Sequence, residues 1–229
     1  MKKRIALYLT LFVIAASILR VDTVAKTSNV YNKINSNDKM IALTFDDGPH
    51  PRITKKILSI LNEYGVTATF FVIGQNVVNY PETMKLIVDS GCEIGNHTYS
   101  HQNFRKMSQS EMSQEFEACR NTLDNNFSVK TKLIRPPEGF CSNEVHSACE
   151  KMDCDIILWS IDTMDWAHTP SDEIVRNVLK NASAGDIILM HDYVSGKDTT
   201  TDALRIIIPT LLERGFRFVT VSELIRAKV

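Results

Sequence analysis

From residue 40 onward the hydrophobic positions follow two alternating rhythms. Short apolar or β-branched runs, of the length expected for buried strands, occupy 40–45, 68–73, 92–95, 133–135, 156–159, 186–190 and 217–221. Between them, apolar positions recur at helical spacing over 52–64, 81–90, 110–123, 143–152, 171–181, 201–214 and 222–228. In the first of these helices Ile53, Ile57, Leu58, Ile60 and Leu61 fall on one stripe, and Gly65 supplies a stop. Pro81 opens the second at a first-turn position, where a missing N–H is harmless, and Gly91 follows its end. Ser171-Asp172-Glu173 and Ser222-Glu223 read as capped starts. Strand–helix alternation sustained over seven cycles predicts an α/β fold, a parallel sheet or barrel of about seven strands.

The N-terminus breaks both rhythms. Met1-Lys2-Lys3-Arg4 is cationic, and 5–19 is an apolar run interrupted only by Thr10 and Ser17. This is the layout of a secretory signal, and the run is shorter than the roughly 20 residues a spanning helix needs. Small residues at Thr23-Val24-Ala25 place a cleavage site at 25; an uncleaved membrane anchor is the alternative. Residues 26–39 are polar and Asn-rich and read as a linker, leaving 40–229 as one catalytic domain. Either form of the leader implies an exported protein, in the medium or at the cell envelope.

Composition narrows the function. The chain has 229 residues, is 44% hydrophobic and carries a formal net charge of −1, so it has the core of a globular domain and no basic excess for nucleic acid. Cys92, Cys119, Cys141, Cys149 and Cys154 are odd in number and never spaced C-x-x-C, which gives no support to a zinc ribbon or thioredoxin-type site. Export permits disulfides, and the last three cysteines are near enough in sequence to pair; free buried thiols are the equal alternative.

Chemistry collects at the ends of the predicted strands, where β/α barrels carry their active sites. Asp46 and Asp47 follow the first run, His97 and His101 the third, Arg135 closes the fourth, Asp162 and Asp165 follow the fifth, and His191 follows the sixth. Adjacent carboxylates at a strand end point to opposite faces, so one can meet a metal and the other a substrate. Two histidines at i and i+4 can converge from one helical turn and, with one carboxylate, form a metal site that keeps positions open. Arg135 can hold a carboxylate, Asp165 can raise the pKa of His191, and Trp166 offers a ring for a sugar. His50, His146 and His168 read as ordinary loop or helix residues. A non-haem iron oxygenase shares the two-His-one-carboxylate set, but the usual H-x-D spacing is absent and Asp46 has no part in it. A non-catalytic carbohydrate-binding protein would have lost one of these groups, and all are present.

The strings TFDDGP at 44–49, H-T-x-x-H at 97–101, R-P-P-x-G at 135–139, D-x-x-D-W at 162–166 and L-x-H at 189–191 occur in that order. In this order they resemble the five motifs of the polysaccharide deacetylases, the NodB-type carbohydrate esterases, across nearly all of the chain beyond the leader. The resemblance implies a distorted (β/α) barrel and one divalent metal, zinc by preference, with cobalt, nickel or manganese as substitutes, held by Asp47, His97 and His101. It further implies Asp46 as general base oriented by Arg135, His191 as general acid tuned by Asp165, and Trp166 and Leu189 lining the acetyl and sugar site. The family's third motif commonly has an aromatic where this chain has Glu138, whose backbone N–H still matches the oxyanion position. The implied reaction is release of acetate from N-acetylglucosamine or N-acetylmuramic acid in peptidoglycan by a monomer, with acetylxylan and chitooligosaccharides as alternative substrates.

Overall fold

The structure is a computed structural model that describes residues 28–193 and 198–229. The apolar leader, with the signal or anchor expected to end at 25, lies outside the described residues. Nine strands form one sheet: β1 (Val30–Tyr31), β2 (Met40–Asp46), β3 (Thr69–Val72), β4 (Glu93–Asn96), β5 (Leu133–Ile134), β6 (Asp155–Ile157), β7 (Ile161–Asp162), β8 (Ile187–His191) and β9 (Arg217–Phe218). Between them run α1 (Ile53–Tyr64), α2 (Gly74–Asn79), α3 (Pro81–Asp89), α4 (Gln109–Phe127), α5 (Asn143–Lys151), α6 (Ser171–Asn181), α7 (Thr199–Glu213) and α8 (Val221–Arg226). The strand path is β1-β6-β5-β4-β3-β2-β8-β7, with β9 against the start of β2, and each of these pairings is parallel. All seven predicted strands and all seven predicted helices are present, most with shifted ends.

The period of two along the strands decides which residues form the core and which reach the site. On β2, Ile41, Leu43 and Phe45 pack outward with Phe70 and Val72 of β3, Ile188 and Met190 of β8, and the apolar stripe of α1. The opposite parity turns to the concave side. There Met40, Ala42, Phe71 and Ile187 form a second core with Leu133, Ile157 and Leu224. Continuing that parity toward the C-terminal ends gives Thr44 and Asp46 on β2 and Leu189 and His191 on β8. The register sets Thr44 opposite Leu189 and Asp46 opposite His191. The concave face is therefore apolar at one end and polar at the other.

The sheet is curled into a half-barrel. β6 and β7 are joined only by residues 158–160, which span roughly 14 Å at most. Six strand spacings separate them along the path, roughly 29 Å if it were flat, so the path must bend back on itself. The segment expected to be a linker stitches the seam between β6 and the start of β8. Asn29 and Tyr31 carbonyls accept from Ile156 and Leu158 of the β6 side, Lys33 bridges Asp186, and the Ile34 N–H donates to the Gly185 carbonyl before β8. Ile34 is buried in the concave core, and Lys33 pairs with the buried Asp186 at 2.7 Å. The linker boundary at 39 is thus corrected: from residue 28 the chain belongs to the domain. Its polar composition hid this because backbone pairing and a single buried Ile34 do the work.

Gly185 marks the tightest point of the seam. Its φ is +82°, and a Cβ there would lie 1.7 Å from the Ile34 carbonyl oxygen, so backbone and not a flexible side chain would have to move. Gly185→Ala should lower stability by about 2–4 kcal/mol, read as a reduced denaturant midpoint at unchanged slope.

Other expectations change in detail. α8 is capped by Thr220 in a reciprocal box with Glu223, and α6 begins after Pro170, so Ser222 and Ser171 are not the caps. α4 runs four residues past the predicted end and closes on Ser128 at φ 55°. The two-residue strands β1 and β7 and the short helix α2 were too brief to show a period. All five cysteines are free thiols. Burial pushes the Cys119 thiol up to about 12, which makes it an inert packing residue.

Candidate active site

The loops following the C-terminal ends of the strands surround a cleft of about 520 Å³ lined by Asp46, Asp47, His97, His101, Glu138, Trp159, Asp162, Trp166, Leu189 and His191. Residues from five separate sequence motifs therefore meet in one place.

Asp46 ends β2, and Asp47 leaves it in the left-handed region at φ 76°. That turn, with the pleat, separates the two carboxylates. Asp46 Oδ1 accepts from Arg135 Nη1 at 2.7 Å, while its Oδ2 stands 3.7 Å from His97 Nε2. Asp47 Oδ1 lies 3.4 Å from the Nε2 of both His97 and His101. The two histidines do not come from a helical turn. They sit in a loop after β4 with Thr98 at φ 70° and His101 at φ 53°, and their rings lie 4.8 Å apart. Left-handed backbone at two non-glycine residues is strain of the kind that functional loops carry.

The ligand atoms of Asp47, His97 and His101 all fall within 4.8 Å of one another, the one such group found among the described residues. The chemistry fits a divalent cation. Asp47 Oδ1 is buried and has no hydrogen-bond partner. His97 Nδ1 is 2.7 Å from the Arg135 carbonyl, so Nδ1–H donates there and Nε2 keeps its lone pair for the site. Burial pushes the Asp47 carboxyl up, but the close imidazole of His97, with those of His101 and His191 beyond it, holds it below its usual range. An ionised, otherwise unsatisfied carboxylate oxygen facing two imidazole nitrogens is a donor set for zinc or a similar metal.

Arg135 is completely buried, an unusual place for a guanidinium. It is tolerated because its donors are matched. Besides Asp46 it donates to Thr44 Oγ1 at 2.8 Å and to the carbonyls of Ile157 and Leu158, and its Cζ lies 4.1 Å from the Phe71 ring centroid. The Thr44 hydroxyl in turn donates to the Ile188 carbonyl. Gly95 makes room for Phe71, since a Cβ there would meet the ring at 2.3 Å.

Asp165 is also fully buried and accepts four hydrogen bonds: His191 Nδ1 at 2.7 Å, the His191 N–H, the Thr200 hydroxyl, and the Trp166 N–H. Burial pulls the His191 pKa down, but the hydrogen bond and charge of Asp165, reinforced by Asp46 and Asp47, raise it to about 9. With Nδ1 tied to Asp165, Nε2 is the nitrogen left for the cleft. Leu189 is a buried floor residue, and Trp166 is a half-exposed rim residue. Glu138 sits at φ 54° in a turn, with its carboxylate mostly in water, 3.7 Å from Arg105.

A family profile described as "Polysaccharide deacetylase" matches residues 33–157, more than half of the sequence. The chain belongs to this family. It is 38% identical over 204 residues to a peptidoglycan-N-acetylglucosamine deacetylase of Bacillus cereus, covering 88% of this chain and 95% of that one. Its structure is similar to that of the Bc1960 peptidoglycan N-acetylglucosamine deacetylase in complex with a hydroxamate-type benzamide, with a TM-score of 0.84 and 36% identity over 90% of this chain and 96% of the other. It is also similar, with a TM-score of 0.82 and 30% identity over 89% and 71% of the two chains, to a CE4 family pseudoenzyme from Bacillus anthracis. Polysaccharide deacetylase folds therefore occur with and without activity, and the side chains of the cleft have to carry the functional argument.

Sequence reasoning missed two groups at this site. Trp159 lines the cleft and packs against Gly139, where a Cβ would stand 2.8 Å from the indole. Its only signal was an aromatic at a predicted strand end. Asp192, beside His191, is buried, accepts the Thr54 hydroxyl at 2.5 Å, and has its other oxygen unpaired. Burial raises its pKa to about 7, opposed by Thr54 and helped by Asp47 and Asp46. It backs the Asp47-Gly48 turn so closely that a Cβ on Gly48 would meet its carboxylate at 2.1 Å. No pattern in the sequence marks that contact.

Proposed function

We propose that the protein is an exported, metal-dependent hydrolase that removes N-acetyl groups from N-acetylglucosamine units of peptidoglycan. The observation that carries this reading is the convergence of an acid, a base and a three-ligand metal set in one cleft. Similarity to a peptidoglycan-N-acetylglucosamine deacetylase along nearly the full length of both chains supports the substrate class. The cationic, apolar leader supports export.

Asp47, His97 and His101 would hold the cation. A divalent ion bound there supplies Lewis-acid chemistry, acidifying a water to a pKa near ~7 and polarising the acetyl carbonyl. Asp46 takes the proton from the attacking water at Oδ2, because Oδ1 is engaged by Arg135. Arg135 thereby acts as a positioning residue. The Glu138 N–H, presented by the left-handed turn, is the protein donor for the carbonyl oxygen as it gains charge. His191 holds a proton at Nε2 and delivers it to the departing amine. Trp159, Trp166 and Leu189 provide the apolar walls for the acetyl methyl and the sugar face.

The test is acetate release from purified peptidoglycan, with acetylxylan as the ester comparison. Acetate and free amino sugars from the wall are expected, and the protein should be recovered from the medium or envelope of expressing cells. Strong release from acetylxylan with none from N-acetyl sugars would move the protein to the O-deacetylases.

A further inference from the structure

Outside the cleft lining, three aromatic side chains cluster near the surface. Tyr193 is 50% exposed and Tyr80 is 36% exposed. The His50 ring stands between them, 5.1 Å from Tyr193 and 6.5 Å, edge-on, from Tyr80. Large rings left in water and clustered are informative, because scattered apolar exposure is ordinary and a grouped aromatic surface is not.

Their place in the fold links them to the reaction. Tyr193 follows His191 by two residues, and His50 follows Asp47 by three. Tyr80 closes α2, which begins directly after β3. Tyr193 and His50 therefore issue from the C-terminal ends of β8 and β2, adjacent strands whose ends also give His191 and Asp47 to the cleft, and Tyr80 meets His50 from the far end of α2. Trp159 and Trp166 follow the ends of β6 and β7 and line the cleft itself.

The middle ring is held in place. His50 Nδ1 accepts the Ile53 N–H at 3.1 Å, and its backbone N–H donates to Thr54 Oγ1 at 2.7 Å. Burial and the neighbouring Arg52 lower the pKa of His50, which keeps the imidazole uncharged near neutrality. The result is a neutral, part-exposed aromatic surface built around a fixed imidazole. Such a surface suits the C–H face of a pyranose ring.

We propose that His50, Tyr80 and Tyr193 form a second sugar-stacking platform, beside the cleft, that holds the glycan chain beyond the residue being deacetylated. The inference rests on the deacetylase reading and deepens it: the protein selects a polymer, held beyond the cleft as well as in it, over a short oligomer.

The experiment compares acetate release from β-1,4-linked N-acetylglucosamine oligomers of two and six units for wild type, Tyr193→Ala, Tyr80→Ala and Tyr193→Phe. Each variant supplies its own ratio of kcat/KM for the long and short oligomers, so partial loss of folded protein cancels. In both alanine variants the ratio should fall by about 2- to 10-fold, the size of an aromatic contact, and the change should lie in KM. Tyr193→Phe keeps the ring and should keep the wild-type ratio. An unchanged ratio in the alanine variants overturns the platform while leaving the deacetylase reading intact. Equal loss in Tyr193→Phe and Tyr193→Ala overturns stacking. Conversion of a dimer to a monomer in Tyr193→Ala would assign the rings to a second copy of the chain instead. No acetate from either oligomer or from peptidoglycan with wild type would bring down the functional reading, and this inference with it.

Discussion

Asp47→Ala should lose bound metal and acetate release together, whereas Asp46→Asn should keep the metal and lose the rate. The two residues are neighbours, yet their surroundings differ. Asp47 Oδ1 is the buried oxygen without a hydrogen-bond partner that faces both His97 and His101, and removing it takes away one of the three groups proposed to hold the metal. His97→Ala should behave in the same way. Asp46 is tied instead to Arg135 at 2.7 Å and stands farther from His97. Asparagine preserves its shape but cannot take a proton, so activity should fall by about 10²–10⁴, the usual worth of a general base. Arg135 would lose its only charged partner among these contacts, so some stability should also be lost. Its bonds to Thr44 and to the Ile157 and Leu158 carbonyls remain, and the fold should survive. Metal content by mass spectrometry, measured beside acetate release and thermal unfolding for each variant, separates the roles. Metal loss in Asp46→Asn with retention in Asp47→Ala would show that they are assigned backwards.

Deacetylation should fail at alkaline pH as His191 gives up its proton, with the limb at or below pH about 9. The sign follows from the contacts. His191 is mostly buried, which alone would favour the neutral ring, but Asp165 accepts from its Nδ1 and outweighs burial. A raised pKa means that the proton an acid needs is present through neutrality and lost as pH rises through about 9. The stability contributed by the His191–Asp165 pair has the same window: full below the ordinary imidazole pKa, and lost on the way up. Asp46 and Asp47 also help to raise this value, and a cation among Asp47, His97 and His101 offsets that part, which moves the limb toward neutrality. Asp165→Asn should move it further in the acid direction and reduce activity at neutral pH, because the charge holding the proton is gone. His191→Ala should retain metal and fall by about 10²–10⁴ with no alkaline limb of this origin. The kcat/KM profiles of the three proteins between pH 5 and 10 give the answer; a limb that does not move in Asp165→Asn removes His191 from the acid role.

Kinship with a pseudoenzyme sharpens these tests. That protein resembles this one over 89% of the chain, so the barrel by itself does not decide activity. What distinguishes an active site is atomic: whether Asp47 Oδ1 is left for a metal, whether Asp46 has a free oxygen, and whether His191 keeps Nε2 for the cleft. All three conditions hold here.

Much of this is legible in the sequence, for physical reasons. Buried parallel strands must be apolar on both faces, and amphipathic helices must present a stripe, so β2, β3, β8, α1 and α7 announced themselves by period. Site residues of a β/α fold gather at strand ends, so Asp46, Asp47, His97, His101, Arg135, Asp165 and His191 could be selected from local position and type. Local sequence could not say that 28–34 closes the seam between β6 and β8. Those contacts are backbone hydrogen bonds to residues more than a hundred positions away, and a backbone bond leaves no mark on composition. Nor could it say that the two histidines converge from a strained loop, that Asp192 braces Gly48, or that Arg135 is wholly buried between Phe71 and the carbonyls of Ile157 and Leu158. Sequence determined the kinds of groups and the element on which each stands. Tertiary structure decided their distances and desolvation, because which oxygen is free and which nitrogen is tied depends on partners that only the folded chain brings together.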